Sequence, residues 1–175
     1  MDQPCFEGLA EVKDTNFFRY IKDAEHEEII YNNLYSVKQS LHITTANFKN
    51  VTIHGDSLVS ILNNMVKRGI KITIICSKLQ TKEMCDFELI VCPRNHMKLF
   101  IFDEKILYIG SANLTPAALN RNYKSKKTNN HEAGILTDAP QILNEALKLF
   151  KHIYQVDDCR TCKIKTCGLR ESQLD

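Results

Sequence analysis

The side chains best suited to chemistry lie in Asn95-His96-Met97-Lys98-Leu99-Phe100-Ile101-Phe102-Asp103, followed seven residues later by Gly110-Ser111-Ala112-Asn113. In a strand, His96 and Lys98 stand at i and i+2 and leave one face, while Leu99 and Ile101 point the other way into a core. Asp103-Glu104-Lys105 then reads as the turn of a hairpin between Met97–Phe102 and Ile106–Ile109. Gly110 permits close backbone approach where strand becomes turn. Ser111 and Asn113 bring a hydroxyl and an amide to the same end of the sheet. A nucleophile or base, a fixed cation and neutral donors together suit an anionic, tetrahedral, oxygen-rich group better than an acyl carbon.

Written as His-x-Lys-x4-Asp-x6-Gly-Ser-x-Asn from His96 to Asn113, the stretch resembles the HKD signature of the phospholipase D superfamily, with every spacing kept. Glu132, in His131-Glu132-Ala133-Gly134, resembles the acidic residue that members carry on the next strand. The resemblance implies a two-step phosphodiester transfer in which His96 attacks phosphorus and water or an alcohol resolves the phosphohistidine. By the same likeness, Lys98 holds non-bridging oxygens, Ser111 and Asn113 bond the phosphoryl group, and Glu132 accepts from the His96 imidazole. Asp103 stands in the expected catalytic set with His96, Lys98 and Glu132. It lies at the far strand end, however, so its expected part is to brace the hairpin. Lysine takes the electrophile's place, so no cofactor is expected for catalysis.

The family chemistry also needs a general acid for the leaving oxygen, supplied by a second motif. The remaining histidines are His26, His42, His54, His131 and His152, and none has Lys two residues later. The chain therefore holds half an active site, and a homodimer that brings two copies of His96 together is expected to complete it.

Two other groups of residues ask for a role. Arg121, Lys124, Lys126 and Lys127 lie in an acid-free stretch from Asn120 to Asn130, expected to rim the site and touch a nucleic-acid backbone without reading bases. Such a run also reads as a merely solvated loop. Cys159, Cys162 and Cys167 offer three soft ligands near the C-terminus, with Cys5, Cys85, Cys92 or His152 as candidates for a fourth. Structural zinc comes first and an iron–sulfur cluster second, since the spacing matches neither common ferredoxin run, and free thiols on a tail are the other reading. Cys76, Cys85 and Cys92 sit in apolar surroundings as small hydrophobes.

The elements that must position these residues alternate. Helical spacing runs over Ala24–Gln39, Ser57–Arg68 (stopped by Gly69) and Ala139–Tyr154. Strands are expected over Leu41–Phe48, Ile70–Cys76, Phe87–Cys92 and Glu132–Thr137, and a short helix over Leu114–Asn120. This order predicts an α/β domain with a mixed, largely parallel β-sheet flanked by helices on both faces. Residues 1–155 form the expected catalytic domain and 156–175 a cysteine-containing tail.

Composition narrows the partners. The 175 residues are 43% hydrophobic with a net charge of +2, so any basic surface must be local and the chain is not a disordered one. No apolar run reaches the length of a membrane span, and no signal peptide is visible, which predicts a cytoplasmic address. Three readings follow: an endonuclease on DNA or RNA, a phospholipase D or phosphatidyltransferase on lipid diesters, and a non-catalytic nucleic-acid-binding module. The compact single motif and the basic loop favour the endonuclease.

Overall fold

The computed structural model describes residues 16–119, 130–155 and 162. A seven-stranded sheet runs through it, built from β1 (Phe18–Lys22), β2 (Ser40–Phe48), β5 (Lys71–Leu79), β6 (Glu88–Val91), β7 (Leu99–Phe102), β8 (Ile106–Gly110) and β9 (Ala133–Thr137). Between β2 and β5 come the two-residue strands β3 (Thr52–Ile53) and β4 (Asp56–Ser57), which form a separate hairpin. Its turn places His54 at φ +49° and Gly55 at φ +94°, the left-handed pair that a tight hairpin requires.

Helices α1 (Glu25–Ser36), α2 (Leu58–Lys67) and α3 (Pro116–Leu119) cover one face, and α4 (Pro140–Tyr154) covers part of the other. Helix α2 starts where the Ser57 hydroxyl accepts the Ser60 N–H and stops at Gly69, whose φ of +87° suits glycine. Helix α4 starts on Pro140 and buries Leu143, Ala146, Leu147 and Phe150, a stripe at helical spacing. That stripe packs on Ile75, Leu99, Ile101 and Leu107, while Ile43, Ile74, Phe100 and Tyr108 face α1 and α2. Residues 99 and 101 thus point away from residue 100, as the strand period predicts.

The α/β architecture with a mixed sheet and helices on both faces is the expected one, but the sheet is not largely parallel. Its order is β1-β9-β8-β7-β2-β5-β6, and only β2–β5 and β5–β6 pair in parallel. The other four pairings are antiparallel. The reason lies in the connections. Parallel neighbours need long crossovers, yet β7 and β8 join through a short turn, and α1 carries the chain from the outer edge strand β1 across to central β2. Strand β1 itself is an addition to the sequence reading. Only Ile21 of its five residues is buried, so it shows no apolar alternation.

Candidate active site

The signature residues gather at one end of the sheet, where β2 and β5 finish, β7 begins, β8 finishes and β9 begins. His96 and Lys98 precede β7 rather than lying within it. Asn95 explains the shift: its buried amide donates to the Thr45 and Ile75 carbonyls, both at 2.9 Å, and pins the approaching chain across the ends of β2 and β5. The same-face expectation nevertheless holds. Lys98 Nζ lies 3.1 Å from His96 Nδ1 and 3.4 Å from Nε2, and donates to the His96 carbonyl at 2.6 Å.

Lys98 is 8% exposed whereas His96 is open to solvent. Burial lowers the ammonium's pKa below the usual lysine range, and the Glu132 carboxylate opposes that shift. The result is a largely desolvated cation beside an accessible imidazole. An incoming anion regains for Lys98 the solvation that burial removed.

Asn113 is oriented by its surroundings. Its side-chain oxygen accepts the backbone N–H groups of Ala46 at 3.2 Å and Asn47 at 3.3 Å, just past the β2–β7 ladder. The amide oxygen is thereby occupied, and the NH2 remains the group to offer a ligand. Buried Thr45 steadies the same turn, its hydroxyl accepting the Leu114 N–H at 3.2 Å.

Ser111 and Glu132 form a pair of their own. The Ser111 hydroxyl donates to Glu132 Oε2 and accepts the Ala133 N–H at 3.0 Å, and the Asn130 amide donates to Glu132 Oε1 at 3.0 Å. Glu132 was expected to accept from His96. Among the described residues of one chain it instead bonds Ser111 and Asn130, while the His96 ring meets Lys98. The strand path accounts for this correction: Ser111 lies beside Ala133 on the adjacent strand, so its hydroxyl reaches the carboxylate first.

Asp103 stands apart from this group. At the opposite end of the sheet, its carboxylate accepts the N–H groups of Lys38, Gln39 and Ser40 at 2.7–3.2 Å. Burial raises its pKa, but those three donors outweigh it and hold the carboxyl below the usual aspartate value. Asp103 thus ties the turn of its hairpin to the start of β2, at the end of the sheet away from His96.

Behind the signature lies a pair that the sequence reading missed. His26 is 0% exposed, and its Nδ1 meets the Tyr108 hydroxyl at 2.6 Å. Burial pushes the His26 pKa down, against the pull of the Glu132 carbonyl and carboxylate, and favours a neutral ring. The pair occupies the space under two glycines. A Cβ on Gly110 would sit 2.3 Å from Tyr108 Oη, and one on Gly134 would sit 3.0 Å from His26 Cε1. Gly110 in turn donates its N–H to the Lys98 carbonyl at 3.0 Å, so the buried pair sets the height of the strand carrying Ser111. Gly134 was the available clue, since glycine within a strand marks a close approach.

The other expected residues fall as follows. Arg121, Lys124, Lys126 and Lys127 lie outside the described residues, as do Cys5, Cys159 and Cys167; Cys162 is half-buried. Cys76 is fully buried, its thiol pushed up to about 11 by desolvation, and Cys85 and Cys92 pack against the two cores. Among the described residues no group of three metal-ligating side chains converges, and no helix is long and apolar enough to cross a membrane.

Comparison with known proteins agrees with this geometry. No curated protein matches in sequence. NucT from Helicobacter pylori shares the fold at a TM-score of 0.61 and 18% identity, over 80% of this chain and 96% of its own. Nuc from Salmonella typhimurium, a phospholipase D family member, gives 0.62 and 17%, over 80% and 95%. The phosphatidylserine synthase of Haemophilus influenzae Rd KW20 gives 0.56 and 15%, over 82% of this chain and 39% of its own. Residues 30–154 match the family described as "Cardiolipin synthase, PLD-like domain", a span holding the whole signature and the strands that carry it. The chain belongs to the phospholipase D superfamily, with one copy of its motif.

Proposed function

We propose that this chain is an endonuclease that cleaves DNA or RNA phosphodiesters without a divalent metal, His96 being the nucleophile and two copies of the chain sharing one active centre. The observation that carries the reading is the desolvated Lys98 ammonium held against the exposed His96 ring, with the Asn113 amide fixed beside it, NH2 available. In the first step a His96 ring nitrogen bonds to phosphorus and the P–O bond to the leaving nucleoside breaks. The leaving oxygen takes a proton from a second imidazole. Water then attacks phosphorus, giving up a proton to that second imidazole, and the P–N bond breaks to regenerate His96. Lys98 and the Asn113 amide stabilise the charge that gathers on the non-bridging oxygens.

The second imidazole must be found. His26 is buried, His42 lies at the opposite end of the sheet beside Glu104, and His54 stacks on Tyr31 in the β3–β4 turn. His131 faces Asp23 at 3.4 Å and is fully exposed, and His152 lies in the last turn of α4, where its neighbours line a groove with Asp103 at the far end of the sheet. A second copy of His96 meets the need, and the sheet has a face to receive it. Tyr20, Ile135 and Ile109 form one cross-strand row with exposed side chains, flanked by Phe18 and Ile142. This apolar row lines a groove of about 410 Å³ that reaches Gly110, one residue from Ser111. An exposed apolar surface continuous with an incomplete site is where the second copy docks.

The basic stretch holding Arg121, Lys124, Lys126 and Lys127, and the likeness of the fold to NucT and Nuc over nearly the whole of those two chains, support nucleic acid over lipid as substrate. The test is incubation with labelled single- and double-stranded DNA and RNA, and with phospholipid vesicles, all in EDTA, beside His96→Ala. Nucleic-acid cleavage that disappears in the variant is the expected result. Head-group release from vesicles instead establishes the lipid reading, and binding without turnover leaves a non-catalytic module.

A further inference from the structure

The described residues contain a cation at the site's edge that the proposed chemistry does not use. Lys78 lies near the end of β5, exposed, its ammonium with no hydrogen bond or ion pair among the described residues. Strand order places β2 alone between β7 and β5. Thr44 pairs with Leu99 across β2–β7, so Thr45 comes level with Lys98; on the other side Asn47 pairs with Lys78.

Regular alternation ends before Lys78, since the successive N–H groups of Ala46 and Asn47 reach one acceptor and Phe48, the partner of Leu79, lies in the core that holds Cys76 and Phe100; what places Lys78 is the register, at the end of the sheet where the signature gathers. Beyond the strands, the Gln80 N–H donates to the Phe48 carbonyl at 2.8 Å and keeps the two strand ends together. Lys49, whose ammonium likewise has no partner among the described residues, follows β2 immediately, and its backbone N–H is held by the Leu114 carbonyl at 3.1 Å. The neighbouring carboxylate Glu83 is engaged by Asn50.

Lys78 therefore stands two strand spacings across and two residues along from Lys98, roughly 12 Å away, with the Asn113 amide bonded to the strand between them. A linear polyanion with one phosphate at His96 and its chain laid along this end of the sheet passes within lysine side-chain reach of both positions. We propose that Lys78, with Lys49 beside it, is a subsite for the phosphate flanking the scissile one in a nucleic-acid strand. This deepens the phosphodiesterase reading and rests on it. It gives the site a reason to select a polymer, because a simple diester has no second phosphate to place there.

The experiment compares kcat/KM for a short single-stranded oligonucleotide with that for bis(4-nitrophenyl) phosphate, which carries one phosphate. The ratio is measured for the full chain, Lys78→Gln, Lys78→Arg and Lys105→Gln, the last at the far hairpin turn. In Lys78→Gln the ratio is expected to fall about tenfold through KM, and the slope of log affinity against log salt to lose about one unit. Lys78→Arg restores both. A Lys78→Gln ratio within about twofold of that for Lys105→Gln overturns the subsite, since one phosphate contact has a larger effect than that. Full-chain protein that hydrolyses the simple diester but no oligonucleotide overturns the subsite and leaves a phosphodiesterase standing. Hydrolysis of neither overturns both.

Discussion

Alanine at position 110 has no room. Its Cβ would lie 2.3 Å from Tyr108 Oη, 2.7 Å from Tyr108 Cζ and 3.2 Å from the Ala133 carbonyl oxygen. The tyrosine cannot swing away, being fully buried, bonded to His26 at 2.6 Å and packed edge-on against Phe100 with ring centroids 5.5 Å apart. Either the strand lifts or the hydroxyl leaves His26. Overpacking of a rigid site costs about 1–3 kcal/mol, and stranding a buried imidazole without its partner costs about 1–3 kcal/mol more. Gly110→Ala is therefore expected to lose about 2–6 kcal/mol, a melting point lower by roughly 4–24 °C for a chain of this size. Differential scanning calorimetry on Gly110→Ala, Tyr108→Phe, their double variant and Gly134→Ala gives the assay. Removing the hydroxyl relieves the shortest contact, so the double variant should be more stable than additivity predicts by about 1 kcal/mol or more. Gly134→Ala clashes with the Ile109 carbonyl oxygen at 2.8 Å and should show no such relief with Tyr108→Phe. A Gly110→Ala protein melting within about 2 °C of the parent, or strictly additive losses in the double variant, refutes the wedge.

Other consequences follow from the same contacts. Asn113→Asp keeps an oxygen for the Ala46 and Asn47 N–H groups but replaces the NH2 by an anion facing the phosphate; kcat should fall about 100-fold or more with the fold intact, read by activity beside circular dichroism. Asp103→Asn should destabilise without lowering kcat, because its contacts lie at the far end of the sheet. The Asp103 pKa is lowered on folding, so its charge-dependent stabilisation is complete above the unfolded value near 3.8 and is lost as pH falls through the folded one. Urea melts should show a constant parent–variant gap at neutral pH that closes in acid; a gap that widens in acid contradicts the brace. A zinc site at Cys159, Cys162 and Cys167 predicts about one metal per chain by mass spectrometry, lost in Cys162→Ser; metal-free protein rules it out.

Much of this arrangement was legible because it is local in sequence. The helical stripe of α4, the Ser57 start of α2 and the hairpin around Asp103 all depend on neighbours a few residues apart. So does the meeting of His96 with Lys98, two positions away. What escaped depends on distant pairings. His26 and Tyr108 are 82 residues apart, and the Asn113 contacts with Ala46 and Asn47 span 67 and 66. Strand β1 went unseen because an edge strand with a single buried residue carries no alternation. Alternating strands and helices suggested parallel pairing, but α1 joins strands that are not neighbours, a fact of topology that no window of sequence contains. Glu132 was placed correctly at the site end and assigned the wrong partner, since the strand register, and not the motif, decides that Ser111 reaches it first.

A shared active centre is the central claim, and co-expression of the parent chain with an equal amount of His96→Ala tests it most directly. If each centre needs two copies of His96, random pairing leaves only parent–parent dimers active, and turnover falls to about a quarter of the all-parent value at equal total protein. A self-sufficient chain would keep about half. The account predicts the quarter, with activity rising as the square of the parent fraction across a mixing series; a straight line through that series would contradict it.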